Sequence, residues 1–191
     1  MINTAIQELE QLSKQGESYT DENGRFGWRN PIRHDTGKIM TALVLANNPK
    51  TILEIGTGPG LSTLYLVNGI IDKTNLSVDT LEFDPEVAQS TQDRMNKLNL
   101  PVRVIHGDAS ATIPTLKQCY DLVFFDAQKN KYGEQLQLLI EHKLITTGTL
   151  ILADNVSDRK EECADFLNWF TTNQVHHTII DTECGLLVAR I

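Results

Sequence analysis

The chain has 191 residues, of which 40% are hydrophobic and 22% are charged, and its formal net charge is −8 at pH 7. This composition is typical of a globular protein and excludes a disordered or fibrous chain. The excess of acidic residues disfavours a nucleic-acid partner, because a negative surface repels the phosphate backbone.

Two helices and a loop are predicted ahead of the first strand. Hydrophobic periodicity indicates helices over residues 4–14 and 36–46. The glycine-rich, polar stretch 16–30 between them is typical of a mobile loop. We expect residues 1–48 to cover a site that the rest of the chain forms.

The body of the chain alternates short apolar runs with longer amphipathic segments. The runs are β-branched or aromatic and are bounded by turn residues, which predicts strands over 51–55, 76–82, 102–105, 120–125 and 149–153. Helical periodicity covers 61–71, 85–98, 132–144 and 160–171, with Asp84 and Pro85 as start signals of the second of these helices. Strand–helix alternation predicts a parallel sheet with helices on both faces.

The C-terminal end breaks this alternation. Segments 176–181 and 186–190 have strand-like patterns, and only a short turn separates them. No helix fits between them, so they should pair antiparallel. The predicted fold is therefore α/β, a doubly wound sheet of seven strands that is mostly parallel and ends in an antiparallel hairpin. We expect residues 1–191 to form one domain.

Cysteine usage and apolar content indicate the cellular location. Cys119, Cys163 and Cys184 stand apart, without the paired spacing of zinc sites or disulfide frameworks. The N-terminus has no apolar signal core, and no apolar run reaches the roughly 18 residues of a membrane span. We expect a cytoplasmic protein with no membrane partner.

Acidic residues follow one predicted strand after another. They stand at or just after the carboxyl end of each strand, at Glu54, Glu82, Asp108, Asp126 and Asp154. Ligands of open α/β sheets bind beyond this edge. Five acids on one edge repel each other, so the pattern indicates a site that receives cations or hydroxyl donors.

A glycine-rich loop indicates which class of ligand the predicted site binds. It runs Glu54-Ile-Gly-Thr-Gly-Pro-Gly60 between a predicted strand and a helix, and Gly56 and Gly58 allow close approach of a ligand to the backbone. The third glycine comes one position too early for a dinucleotide fingerprint, and no Gly-Lys-Ser/Thr follows, as a Walker loop requires. Glu82 lies 26 residues after Gly56, where a carboxylate can accept both ribose hydroxyls of a nucleoside.

These features together resemble the class I S-adenosylmethionine-dependent methyltransferases, which have a Rossmann-like fold. The shared features are the E-x-G-x-G-x-G loop, the acid that ends the second strand and the antiparallel final hairpin. The resemblance implies S-adenosylmethionine as cofactor. It implies that the cofactor contacts residues at the positions of Glu54, Gly56, Gly58, Ser62, Glu82, Asp108, Ala109 and Asp126.

Further motifs resemble the cation-dependent O-methyltransferases that act on catechols and caffeoyl-CoA. The segment 126–132, Asp-Ala-Gln-Lys-Asn-Lys-Tyr, is similar to the family's D-A-D-K-x-x-Y, and 148–156 is similar to its G-G-x-x-x-x-D-N-V. The segment 37–40 resembles a further family motif, G-Q-x-x. Trp28 stands where catechol methyltransferases have a tryptophan beside the substrate.

This narrower resemblance implies a set of roles. Asp126, Asp154 and Asn155 would bind Mg²⁺ or another divalent cation, which prefers oxygen ligands. Lys129 and Asp126 would be catalytic, and Lys129 would accept the proton of the acceptor hydroxyl. Trp28 and Lys129 would contact a small-molecule acceptor. Family members often dimerise, which implies a homodimer.

Three departures from the family pattern concern the acceptor. The loop after Asn155 is short, Gln128 replaces an aspartate, and Thr178 stands where catechol enzymes have an acid that holds the substrate. The acceptor can therefore be a catechol, another phenol, a hydroxylated RNA base or a sugar hydroxyl. A nicotinamide-dependent oxidoreductase and a non-catalytic cofactor-binding module are further alternatives.

Simpler structural roles also fit the singled-out residues. Asp126 can cap a helix, Asp154 and Asn155 can form a turn, and Lys129 can be a solvated lysine. Trp28 can fill the core. These roles explain each residue but not why the acidic residues share one edge of the sheet.

Overall fold

A computed structural model of the chain describes residues 1–14, 19–20, 26–27 and 32–191. Its N-terminal part has helices α1 (Ile2–Lys14) and α2 (His34–Asn47), with the antiparallel strands β1 (Tyr19–Thr20) and β2 (Phe26–Gly27) between them. Most of the loop predicted over 16–30 lies outside the described residues, and so does Trp28.

A seven-stranded sheet forms the centre of the described structure. Its strands are β3 (Thr51–Ile55), β4 (Ser77–Glu82), β5 (Val102–His106), β6 (Leu122–Phe125), β7 (Leu150–Ala153), β8 (His177–Ile180) and β9 (Leu186–Arg190). Their spatial order is β5-β4-β3-β6-β7-β9-β8. The first five are parallel, and β9 runs antiparallel to both β7 and β8. The predicted α/β fold with its C-terminal antiparallel hairpin is confirmed.

Helices follow the parallel strands in turn. They are α3 (Leu61–Asn68), α4 (Pro85–Lys97), α5 (Ala109–Thr112), α6 (Tyr132–Glu141) and α7 (Ala164–Thr172). The start signals of α4 are confirmed, because the Asp84 side chain accepts hydrogen bonds from the backbone N–H of Glu86 and Val87. In the described part of the chain, no helix combines the length and the apolar character needed to cross a bilayer.

Some boundaries differ from the sequence prediction. The helix predicted over 61–71 ends at Asn68, and Gly69 caps it. The helix predicted over 132–144 ends at Glu141, and Lys143 adopts a positive φ of 56°. Helix α5 was not predicted, because its four residues are too few for a helical period to be visible.

The core has two layers, one on each face of the sheet. Alternate residues of β3 supply both layers, since Ile52 packs on one side with α1, α2 and α3, and Leu53 packs on the other with α6 and α7. Strands β6 and β7 are buried along their whole length. Both faces are therefore covered by helices, and the carboxyl ends of the strands form the edge at which polar groups collect.

Candidate active site

The predicted acids of β6 and β7 lie side by side at this edge. In the strand register, Ile55 pairs with Phe125, and Phe125 pairs with Ala153. The backbone N–H of Asp126 donates to the carbonyl of Ile55 at 2.8 Å, and that of Asp154 donates to the carbonyl of Phe125 at 3.1 Å. Parallel pairing thus brings together two residues that are far apart in the sequence.

The glycine loop turns directly against Asp126. Gly56 has a φ of +102°, and a Cβ there would stand 2.5 Å from the carbonyl oxygen of Asp126. Gly58 also has a positive φ, of +50°, but a Cβ there would meet nothing within 4 Å. Gly56 is thus required by close backbone packing, whereas Gly58 faces open space that a ligand can enter.

Glu54 lies beneath the loop rather than on its surface. Its side chain is 0% exposed, and Oε2 accepts hydrogen bonds from the hydroxyls of Thr63 at 2.5 Å and Thr80 at 2.6 Å. Burial raises the pKa of Glu54 to about 7, and neighbouring hydroxyls, including that of Ser62, offset part of this rise. In the described structure the side chain of Glu54 connects β3 to α3 and β4. Its predicted contact with a cofactor stays a prediction.

Glu82 connects the end of β4 to the glycine loop. Its Oε2 accepts the backbone N–H of Gly58 at 2.8 Å, and its Oε1 accepts that of Asp84 at 3.0 Å. Each carboxylate oxygen keeps further acceptor capacity. The two backbone N–H groups therefore fix the orientation of the Glu82 carboxylate, which can still accept hydrogen bonds from the hydroxyls of a ribose.

The remaining predicted cofactor residues lie around the same strand ends. Ser62 is buried in the first turn of α3. Asp108 caps α5 by accepting the backbone N–H of Ala111 at 3.0 Å, and Ala109 begins that helix. The backbone N–H of Gly107 donates to the carbonyl of Glu82 at 2.8 Å, so this turn lies beside the end of β4.

Asp126 and Lys129 form an ion pair within the site. Lys129 Nζ lies 2.8 Å from Asp126 Oδ1, and both side chains are only 15% exposed. Burial raises the pKa of Asp126, and the Lys129 ammonium counteracts that rise. Lys129 also lies 5.4 Å from the ring centroid of Tyr132. Lys129 is thus a partly buried, oriented amine and not a solvated one.

Asp154 and Asn155 complete the predicted metal set. Asp154 is 3% exposed, and burial together with the charge of Asp126 raises its pKa to about 7. Asp154 Oδ1 is buried without a hydrogen-bond partner in the described structure. Asn155 adopts a φ of +63°, and its amide nitrogen lies 3.4 Å from Asp158 Oδ2.

These residues fit a divalent cation of the magnesium type. An unpaired, buried carboxylate oxygen beside a second carboxylate is costly unless a cation compensates it. Among the described residues, no group of three or more His, Cys, Asp and Glu side chains is arranged to hold a metal. The predicted donor set of two carboxylates and an amide oxygen would leave coordination positions for water or substrate.

Two further residues of the site were not singled out from the sequence. Phe83 follows Glu82 and is 73% exposed, although it is aromatic. Tyr132 is fully buried, and its hydroxyl donates to the carbonyl of Phe125 at 3.0 Å and lies 3.3 Å from that of Asp154. The sequence signal for Phe83 was an aromatic residue directly after the strand-end acid. Tyr132 was noticed only as part of a motif.

Comparison with known proteins relates the chain to methyltransferases. Residues 53–156 match the family model of a methyltransferase domain. Over 136 residues the chain is 32% identical to catechol O-methyltransferase of Bos taurus, which covers 68% of this chain and 49% of the bovine protein. Over 127 residues it is 32% identical to catechol O-methyltransferase of Sus scrofa, which covers 63% of this chain and 67% of the porcine protein.

The fold has close counterparts among solved structures. The O-methyltransferase from Bacillus cereus in complex with SAH superposes with a TM-score of 0.80 at 23% identity, over 98% of this chain and 90% of that one. The chain spans about half to three fifths of the length of several curated relatives.

Proposed function

The chain belongs to the methyltransferase-domain family that includes the catechol O-methyltransferases, and we propose that it transfers the methyl group of S-adenosylmethionine to a hydroxyl of a small phenolic, catechol-like acceptor. The observation that carries the proposal is the cluster of Asp126, Lys129 and Asp154 directly beside the glycine loop. We further propose that a divalent cation, such as Mg²⁺, binds at Asp126, Asp154 and Asn155.

The cofactor side of the proposed site is the edge formed by β3, β4 and β5. Glu82 would accept the ribose hydroxyls, and the open space over Gly58 would receive the cofactor. Phe83 offers an exposed aromatic face next to the ribose position, where an adenine ring can stack. Asp108 and Ala109 lie on the following turn, where they can contact the base.

The acceptor side of the proposed site is formed by the ends of β6 and β7. Lys129, positioned by Asp126, would accept the proton of the acceptor hydroxyl as a neutral amine. When bound, S-adenosylmethionine would supply the methyl group of its sulfonium, and transfer of that methyl to the acceptor oxygen with loss of the S–CH₃ bond would leave a neutral thioether. The bound cation would lower the pKa of the hydroxyl and orient it. Because the reaction neutralises opposite charges, the partial burial of Asp126 and Lys129 favours it.

The first experiment is a methylation assay on the purified chain. The protein is incubated with S-adenosylmethionine and a panel of vicinal dihydroxy aromatics, with Mg²⁺ or with EDTA, and products are read by mass spectrometry. Methylated product that requires Mg²⁺ is expected. Product that persists in EDTA would contradict the requirement for a divalent cation. Binding of NADH without binding of S-adenosylhomocysteine would indicate a nicotinamide-dependent oxidoreductase instead.

The proposed catalytic role of Lys129 can be distinguished from a general effect of losing one positive charge nearby. Lys129→Met should lower kcat by about 10²-fold or more, since a positioned general base contributes at least that much. Lys131→Met removes a lysine two residues away that is exposed and paired with Glu134. This control should leave kcat unchanged, and equal losses in both variants would contradict a catalytic Lys129.

The partners and the cellular location are proposals too. The net charge of −8 supports a small-molecule acceptor rather than RNA or DNA. We also propose a cytoplasmic homodimer that does not bind membranes. Light scattering after size-exclusion chromatography should give twice the chain mass of 21.4 kDa, and a mass of one chain would overturn the dimer.

A further inference from the structure

Helix α4 holds the glycine loop by two side-chain hydrogen bonds. The hydroxyl of Thr91 donates to the carbonyl of Gly58 at 3.0 Å, and Nη1 of Arg94 donates to the carbonyl of Pro59 at 2.5 Å. The two donors lie three residues apart, so they share one face of the helix. Two consecutive carbonyls of the loop are therefore held by one face of α4.

The same helix face also packs on the next residue of the loop. Gly60 has a φ of +85°, and a Cβ there would stand 2.6 Å from Met95 Cε and 2.8 Å from Thr91 Cγ2. Both side chains are buried. Three successive residues of the loop are thus fixed from one direction.

Gly58 also borders the open space of the proposed cofactor site. A Cβ on Gly58 would meet nothing within 4 Å, and the backbone N–H of Gly58 donates to Glu82 Oε2. Gly58 is therefore held through its carbonyl by α4 and through its N–H by the acid that would bind the ribose. A change in the backbone of Gly58 that moves its N–H would break the hydrogen bond to Glu82.

We propose that Thr91 and Arg94 are positioning residues for the cofactor, which fix the carbonyls of Gly58 and Pro59 and thereby orient Glu82. This inference rests on the proposed function. Glycine-containing loops have many accessible backbone conformations, and selecting one before binding removes an entropic cost from the binding step. Neither residue has to contact the cofactor itself.

Isothermal titration with S-adenosylhomocysteine tests the inference on the full chain. Arg94→Met and Thr91→Val should each raise the Kd by about tenfold, as expected for the loss of a positioning hydrogen bond. Arg94→Lys and Thr91→Ser keep a donor and should restore most of the affinity, which a loss of bulk packing does not predict. Binding is measured at a temperature below the thermal unfolding midpoint of every variant.

Lys97→Met is the matched control, because it removes a positive charge from an exposed position on the same helix. It should leave the Kd unchanged, and a Kd raised as much as in Arg94→Met would overturn the inference in favour of a net-charge effect. If Arg94→Met does not fold, Thr91→Val decides the matter.

The outcomes separate this inference from the proposed function. Wild-type affinity in both Arg94→Met and Thr91→Val overturns the positioning role alone. A wild-type chain that does not bind S-adenosylhomocysteine overturns the proposed function and the positioning role together.

Discussion

At the residue scale, burial changes the protonation behaviour of Glu54, the acidic residue of the glycine motif. The side chain belongs to the glycine motif, yet it is completely buried and accepts hydroxyl hydrogen bonds from Thr63 and Thr80. Burial raises the pKa of Glu54 from its ordinary value of 4.5 to about 7. Proton binding at Glu54 is therefore coupled to folding.

This coupling predicts a pH dependence of stability. The pKa of Glu54 is higher in the folded state than in the unfolded state. The stabilisation that protonated Glu54 contributes to the free energy of unfolding is therefore fully present below pH 4.5 and is lost as the pH rises towards 7. Glu54→Gln removes the titration. The free energy of unfolding of the variant, relative to the wild type, should therefore rise by about 3 kcal/mol over this range. Urea denaturation at several pH values measures it, and a difference that does not vary with pH would contradict the prediction.

At the scale of single elements, the turn between β3 and α3 packs directly against the end of β6. Gly56 packs its Cα against the backbone of Asp126, at the end of the neighbouring strand. The glycine therefore serves strand-end packing as well as the backbone conformation of the turn. A substitution there should affect both stability and binding.

Two glycines with the same backbone φ separate these effects. Gly56 and Gly148 both have a φ of +102°, but a Cβ on Gly148 would meet nothing within 4 Å. Gly148→Ala should cost about 1 kcal/mol of stability from backbone strain alone. Gly56→Ala should cost about 3 kcal/mol, because overpacking is added, and should weaken S-adenosylhomocysteine binding. Denaturant unfolding and titration measure both, and equal effects would contradict a packing role for Gly56.

At the scale of the whole molecule, the sheet order brings the proposed site together. Strands β4, β3, β6 and β7 are spatial neighbours, so acids from distant parts of the sequence share one edge. Loops and strand ends that meet at such an edge are held by the sheet below them. A ligand that contacts several of them stabilises the folded state as a whole.

Ligand binding should therefore raise the unfolding temperature. At a concentration of 100 times its Kd, S-adenosylhomocysteine contributes about 2.7 kcal/mol. For a chain of this size the contribution corresponds to a rise in Tm of about 5–10 °C. Differential scanning calorimetry measures the shift. NADH at the same concentration should leave the Tm unchanged, and an equal rise with NADH would contradict the cofactor assignment.

Local sequence patterns predicted the strands of the main sheet and the described α-helices apart from α5. Alternation and periodicity placed all seven strands of the main sheet, and Asp84 with Pro85 marked the start of α4. These predictions succeeded because the signals arise within one segment and report which face of it is buried. Helix α5 was missed because four residues do not complete a readable period.

Only the tertiary structure decided which side chains contact each other. The burial of Glu54, the pairing of Lys129 with Asp126 and the hold of Thr91 and Arg94 on the glycine loop depend on packing between distant segments. The sequence determined which residues stand at the strand ends. The sheet order and helix packing, which depend on the burial energy of the whole chain, determined what these residues meet.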